Sequence, residues 1–312
     1  MLCNVLIMLS TYNGAKYLHE QLDSLYAQEG VEIHILVRDD GSKDDTINIL
    51  KEYQQEYGKM TLYAEENIGT ARSFYKLLLK AKFDFDKFDY YAFCDQDDVW
   101  NNDKLSYSIE NLKLQKGRYR LFYSDVVVTD SILSPINKRS PHRVDSLQNN
   151  IIGNRQLGCT QVFNYELFDR ITQGILKAEY TFDSYYPLHD VWTSLVAFAY
   201  NADIIYGVEP TMCYRQHEAN VVGGERHGFM RTWWNRLKRL SKYSNYKSMK
   251  CKYMLSAYDD IPKRSLDILS KCAKYKENGF KGRLQLAFDK SFHCNNFIEN
   301  LGFITSVLIG KF

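Results

Sequence analysis

The sequence predicts an α/β protein with a mostly parallel sheet flanked by helices and a helical extension at its C-terminal end. Three observations predict it. Short apolar runs alternate with segments whose apolar residues recur at helical spacing. Each strand-like run ends in a polar, turn-forming loop. The last third changes character, becoming basic with apolar residues at helical spacing.

The elements follow in order. Val5 to Leu9 is a continuous apolar run, as in a strand buried on both faces. Ser10-Thr11-Tyr12-Asn13-Gly14 ends it, and Leu18, Leu22 and Leu25 then mark a helix. Ile33, Ile35 and Val37 alternate as a second strand, closed by Arg38-Asp39-Asp40-Gly41-Ser42. Asp44 or Asp45 is placed to cap the helix carrying Ile47, Leu50 and Tyr53. Met60 to Tyr63 is a third strand, and Asn67-Ile68-Gly69-Thr70 leads into a helix with Ala71, Phe74, Leu78 and Ala81 on one side. Tyr90 to Cys94 is a fourth, and Leu105, Ile109 and Leu112 mark the helix after it. This βαβαβαβ order predicts crossover helices and brings the strand-end loops to one edge of the sheet.

The fourth loop holds Asp95, Asp97 and Asp98, three carboxylates in four residues. Like charges this close repel, and a divalent cation gives the cluster a reason to exist. Mg²⁺ or Mn²⁺ takes oxygen ligands and needs one or two carboxylates, with phosphate and water completing the shell. The plain alternative is a solvated acidic turn ahead of a helix. The first turn, STYNG, lacks the G-x-G-x-x-G of dinucleotide folds, so phosphate charge needs another partner.

Composition narrows the class. With 45% hydrophobic and 25% charged residues the chain is globular, and a net charge of +2 gives no global field for nucleic acid. The 24 Tyr suit a polar, sugar-like ligand. Seven Cys without a CxxC pair argue against a disulfide framework or zinc knuckle and fit core thiols in a reducing cytosol. No signal peptide or spanning segment is expected.

The segments VLIMLSTYNG, VRDDGSKDDT, ENIGTARSF and FCDQDDVWNNDKL resemble, in this order, the family 2 inverting glycosyltransferases of the GT-A fold. With LHDVW and YRQHEANVVG added, the chain is similar to the rhamnosyltransferase branch. The resemblance implies a GT-A nucleotide-diphospho-sugar transferase domain over residues 1–222, its donor half near 1–115 and its acceptor half near 116–222, followed by an extension over 223–312. It implies that Thr11 and Tyr12 line the base pocket, that Asn13 is donor-binding, and that Asp40 accepts a hydrogen bond from a uracil or thymine ring N–H. Asn67 and Gly69 join the donor-binding edge. Asp97 and Asp98 hold ribose and metal, with Asp95 supporting them. Asp190 stands where the family keeps its general base. His189 departs from the family's common Glu-Asp pair, which leaves its role open.

The remaining features keep two readings each. Asp190 precedes an apolar run, so an N-cap is the plain alternative to a base. Gly158-Cys159-Thr160 resembles the small-residue loop beside the donor sugar, or is an ordinary turn. Arg215 suits a phosphate and His217 suits Mn²⁺, but a single His is more often structural. Asn220 to Gly224 reads as a loop that closes over the donor. From Arg226 to Lys252 there are nine Lys or Arg and no Asp or Glu, with Phe229, Trp233, Leu237 and Leu240 at helical spacing. That pattern fits either an anionic membrane surface or packing on the catalytic domain. Leu301 to Phe312 is an apolar tail too short to span a bilayer.

The expected function is a metal-dependent inverting glycosyltransferase of bacterial surface polysaccharide synthesis. Its expected donor is dTDP-L-rhamnose and its acceptor a glycan or a polyprenyl-linked sugar, handled in the cytoplasm or at the inner face of the membrane. The alternatives are a UDP-hexose-dependent enzyme of the same fold and a non-catalytic nucleotide-sugar-binding subunit. Nucleic-acid binding through the basic stretch predicts a steep salt dependence.

Overall fold

The computed structural model of the chain describes residues 2–139, 144–153, 156–178, 187–217, 245–293 and 297–312. The predicted apolar runs form β1 (Cys3–Thr11), β2 (Val31–Asp39), β3 (Met60–Ala64) and β4 (Tyr90–Cys94). Their crossovers are α1 (Ala15–Tyr26), α2 (Thr46–Tyr57) and α3 (Thr70–Phe83). All three pairings among these strands are parallel, with Thr11 opposite Asp39, Asp39 opposite Ala64 and Leu9 opposite Cys94. The register therefore ends these strands together, and their loops meet at one edge, where open α/β sheets bind ligands.

Past β5 (Val99–Trp100) and α4 (Lys104–Lys113) the chain builds two sheets at once. β6 (Arg120–Ser124), β9 (Val162–Asn164) and β10 (Asp203–Gly207) extend the main sheet to the order β10-β6-β9-β4-β1-β2-β3, with β9 antiparallel to both neighbours. β7 (Val126–Thr129), β8 (Pro135–Arg139) and β11 (Met212–Arg215) form a second sheet, β5-β11-β7-β8. These strands of two to five residues carry too little periodicity to be read from sequence.

The helices α5 (Leu147–Ile152), α6 (Tyr165–Ala178) and α7 (His189–Ala199) lead to a C-terminal group: α8 (Tyr246–Ala257), α9 (Lys263–Ala273), α10 (Gly279–Ala287) and α11 (Phe297–Leu308). That group packs on the sheet domain. Cys251, Met254, Leu269, Leu286 and Phe303 belong to one buried cluster with Phe74, Phe93, Phe168 and Trp192. The apolar tail docks on protein through one face, with Phe303, Val307 and Phe312 buried and the Phe312 N–H donating to Tyr275 Oη at 3.1 Å. The Asn220 to Gly224 loop and most of the basic stretch, residues 226–244, lie outside the described residues.

Candidate active site

One cleft of about 1180 Å³ opens at the edge where the strand loops meet. Its wall includes Thr11, Tyr12, Asn13, Asp40, Asp95, Asp97, Gly158, Cys159, Asp190 and His217. Residues from six separate stretches of sequence thus face one space.

The loop after β2 is built by its first aspartate. Asp39 accepts from Thr11 Oγ1 at 2.8 Å, from Ser42 N at 2.8 Å and from Gly41 N at 3.2 Å. Gly41 has φ of 81°, a conformation that favours glycine. That turn aims Asp40 at the cleft. Asp40 Oδ1 takes Arg38 Nη1 at 2.5 Å and Ile68 N at 2.8 Å, and Oδ2 takes Gly69 N at 2.8 Å. A carboxylate offers about four acceptor sites, so one remains on Oδ2 for a ring N–H. Gly69 meets Asp40 through its backbone, and Asn67 is exposed beside it.

The aspartate loop is held from both sides. The amide of Gln96 grips the Tyr12 backbone, accepting from Tyr12 N at 2.7 Å and donating to Tyr12 O at 3.1 Å. A Cβ on Gly14 would collide with that amide. On the other side Arg215 N donates to Asp98 Oδ1 at 3.1 Å and Arg215 Nε to Asp97 O at 2.7 Å. This clip carries the end of β11 to the loop and sets His217 Nε2 at 2.7 Å from Asp97 Oδ2.

Two expectations change here. Arg215 is not positioned as a phosphate partner. It is 1% exposed, its guanidinium is shared among Asp97 O, Ser131 O and Glu20, and it is absent from the cleft wall. Asp98 is fully buried behind the loop instead of facing the cleft. One of its oxygens serves Arg215 N and the other has no hydrogen-bond partner, and burial followed by the nearby Asp97 and Asp95 pushes its pKa well up.

The donor set can be tested against a divalent cation. Asp97 and His217 bring a carboxylate oxygen and an imidazole nitrogen together at the cleft, a set suited to Mn²⁺. Asp95, Asp98 and Cys159 form a second group, with ligand atoms within 4.8 Å of one another. That group suits Mg²⁺ or Mn²⁺ less well. Cys159 brings a soft sulfur, and burial raises its thiol pKa well above the usual value. Burial, then Asp97 and Asp190, brings Asp95 up to about 7. Lys104, fully buried with its ammonium on Cys159 O and 3.3 Å from the Trp100 ring centroid, is a cation whose charge favours the ionised forms of Asp95 and Asp98.

Asp190 lines the same cleft from the start of α7. The N-cap position of α7 is Leu188, so Asp190 is the second helical residue and not the cap. Its Oδ1 accepts from Val191 N at 2.7 Å, and its backbone oxygen accepts from Ser194 Oγ at 2.8 Å and Gln161 Nε2 at 3.3 Å. Burial pushes its pKa to about 6, while the backbone amides of Val191 and Asp190 itself, and Lys250 of α8, pull the other way. The group is therefore ionised at neutral pH yet basic enough to take a proton. His189 is a neutral ring in an apolar cage. It stacks on Phe74 at 3.7 Å, meets Phe93 edge-on at 4.5 Å, has neither nitrogen hydrogen-bonded, and burial lowers its pKa to about 3. A Cβ on Gly158 would lie 2.5 Å from His189 Nε2 and 3.1 Å from Asp190 Cβ, so the glycine lets the loop close on α7.

Sequence reasoning missed Gln96, Lys104 and Arg38 as parts of the site. Gln96 sits at the free position of the D-x-D pattern, which the motif leaves unspecified. The two cations lie beside aspartate clusters, and a buried counter-charge there was the available signal.

A mostly parallel sheet whose strand-end loops gather carboxylates around one cleft matches the frame of a GT-A glycosyltransferase. The profile described as "Glycosyl transferase family 2" matches residues 6–168, and the chain belongs to that family. It is 30% identical over 253 residues to the dTDP-rhamnosyl transferase RfbG of Shigella flexneri, covering 76% of this chain and 83% of that one. It is 28% identical over 155 residues to the putative teichuronic acid biosynthesis glycosyltransferase TuaG of Bacillus subtilis, covering 48% of this chain and 59% of that one. Among solved structures, S. aureus TarS 1-349 in complex with UDP-GlcNAc matches 97% of this chain and 79% of its own, at 15% identity and a TM-score of 0.56. The mannosyltransferase PcManGT of Pyrobaculum calidifontis, in complex with GDP-Man and Mn²⁺, matches 100% of this chain and 86% of its own, at 14% identity and a TM-score of 0.51.

Proposed function

We propose that this glycosyltransferase is an inverting, divalent-cation-dependent enzyme that takes L-rhamnose from dTDP-L-rhamnose, with Asp190 as its general base. The observation that carries the reading is the shared cleft, lined by Asp40 and Asp97 at the sheet edge and by Asp190 at the start of α7. The similarity to RfbG supports the dTDP-rhamnosyl donor.

In this reading Asp40 takes the ring N–H of thymine through its remaining acceptor site, and Thr11 and Tyr12 flank the base. Asp97 and His217 would hold a divalent cation, whose charge would stabilise the leaving diphosphate. The acceptor O–H gives its proton to the Asp190 carboxylate as its oxygen bonds to the anomeric carbon from the face opposite the leaving group. The bond from that carbon to the diphosphate oxygen breaks with its electron pair, and the configuration inverts. No covalent enzyme intermediate forms, so no nucleophilic side chain is needed. The acceptor is a glycan or a polyprenyl-linked sugar met at the inner face of a membrane.

The test is release of nucleoside diphosphate from dTDP-L-rhamnose and from UDP-hexoses, with water as the slow acceptor. Wild type is expected to prefer the dTDP donor and to lose turnover in EDTA. Asp190→Asn is expected to keep donor binding and to lose about 10²–10⁴-fold in kcat. Wild-type turnover in Asp190→Asn removes it as the base, and a preference for a UDP-hexose replaces the donor.

A further inference from the structure

The C-terminal helices expose an apolar face that the catalytic reading does not use. Phe280 (64% exposed), Leu284 (38%) and Phe288 (60%) follow one another at four-residue spacing along α10 and its end. Leu301 (48%) and Ile309 (52%) stand eight residues apart along α11 and its end, with exposed Thr305 between them. The opposite faces of the same helices bury Leu286 and Ala287, and Phe303 and Val307. Arg283 Nη1 donates to Leu308 O at 3.1 Å, so the middle of α10 lies against the end of α11 and the two faces belong to neighbouring helices.

Charge says what covers this face. Residues 1–225 carry 22 Lys and Arg against 32 Asp and Glu, a net charge of −10. Residues 226–312 carry 18 against 6, a net charge of +12. The near-neutral chain is thus an acidic body with a basic end. Within the described part of that end, Lys281, Lys290 and Lys311 are exposed beside the apolar residues. Exposed phenylalanines with lysines at their rim match the make-up of helices that lie in a lipid headgroup region. A second copy of this chain would set one basic face against another, which like-charge repulsion disfavours.

We infer that the α10–α11 face seats this protein on an anionic lipid surface, with Phe280, Leu284 and Phe288 entering the acyl boundary and the neighbouring lysines meeting headgroup phosphates. The sheet edge then carries the acidic, cleft-bearing side, and the basic end holds it at the membrane. The inference is independent of the donor and the base, because vesicle binding is read without turnover. A failed Asp190 test leaves it standing, and the reverse holds too.

The experiment is co-sedimentation of the full chain with phosphatidylglycerol-containing vesicles and with pure phosphatidylcholine vesicles, for wild type and for Phe280→Asp with Phe288→Asp. Both positions are exposed, so the double variant is expected to fold, checked by circular dichroism and by unchanged donor hydrolysis. Wild type is expected to bind the anionic vesicles at least tenfold more tightly than the neutral ones and to release in high salt. The double variant is expected to lose at least tenfold in affinity. Equal binding by the double variant overturns the assignment, as does no binding by wild type. Sedimentation velocity provides the remaining outcome: a wild-type dimer that the double variant breaks assigns the face to a second copy and overturns the lipid reading.

Discussion

Asp190 is poised by three influences of unequal strength. Burial raises its pKa to about 6, its own helix amides lower it, and Lys250 lowers it from behind. Lys250 is 1% exposed, and its ammonium donates to Asn150 O at 3.2 Å. If Asp190 is the base, turnover falls as pH drops below about 6, where the carboxylate takes up its proton. Lys250→Met removes a positive charge that favours the ionised form, so the acid limb of the kcat profile is expected to move to higher pH, with Lys250→Arg restoring it. A limb that stays in place while kcat falls at every pH contradicts the electrostatic role. His189 gives its pH signature in stability instead of turnover. Its pKa in the folded protein is about 3, below the usual 6.5, so the unfolded chain takes up the proton first. Stability is then lost as pH falls from 6.5 towards 3, by about 2–3 kcal/mol at pH 4.5. His189→Phe keeps the stacking on Phe74 and Phe93 and is expected to flatten the fall of Tm between pH 6.5 and 4.5 relative to wild type. An unchanged slope contradicts the buried neutral ring.

At the scale of elements, the site depends on short pieces that bring distant residues to the aspartate loop. β11 has four residues, yet through Arg215 it fixes Asp97, Asp98 and His217 together. Arg215→Met leaves Asp97 O and Ser131 O without their charged donor in a part-buried setting. The expected cost is about 2–3 kcal/mol of unfolding free energy, with weaker Mn²⁺ binding, read by denaturation and calorimetry. Wild-type Mn²⁺ affinity in that variant would mean that the clip does not position His217. The same elements mark where sequence reading succeeds and where it stops. β1, β2, β3 and β4 were legible because each is an apolar run closed by a polar loop, and their loops supplied Thr11, Asp40, Asp95 and Asp97. The second sheet was not legible, since β5, β7 and β11 have only two to four residues and β8, PINKR, carries no apolar run. The wrong role for Arg215 has the same origin: its partners, Glu20, Asp97 and Ser131, are distant in sequence, so only the fold shows that its donors are already used.

At the scale of the whole molecule, the C-terminal helices are part of the catalytic body and not a loose appendage. Lys250 reaches the neighbourhood of Asp190 from α8, and the core runs unbroken from Phe93 of β4 to Phe303 of α11. Among the described residues no helix is long and apolar enough to cross a membrane. The charge split between the acidic body and the basic end was legible in the sequence, while the apolar face beside it needed the burial pattern. The catalytic reading depends on the cleft holding a cation beside Asp97 and His217, in the space that Asp190 also lines. The most direct measurement is an anomalous difference map from crystals grown with Mn²⁺ and dTDP. The account predicts a peak within bonding distance of Asp97 Oδ2 and His217 Nε2, touching the diphosphate, with Asp190 facing the space beyond the terminal phosphate. A peak on Asp98 and Cys159 with Asp97 and His217 still bonded to each other, or a diphosphate turned away from Asp190, would contradict it.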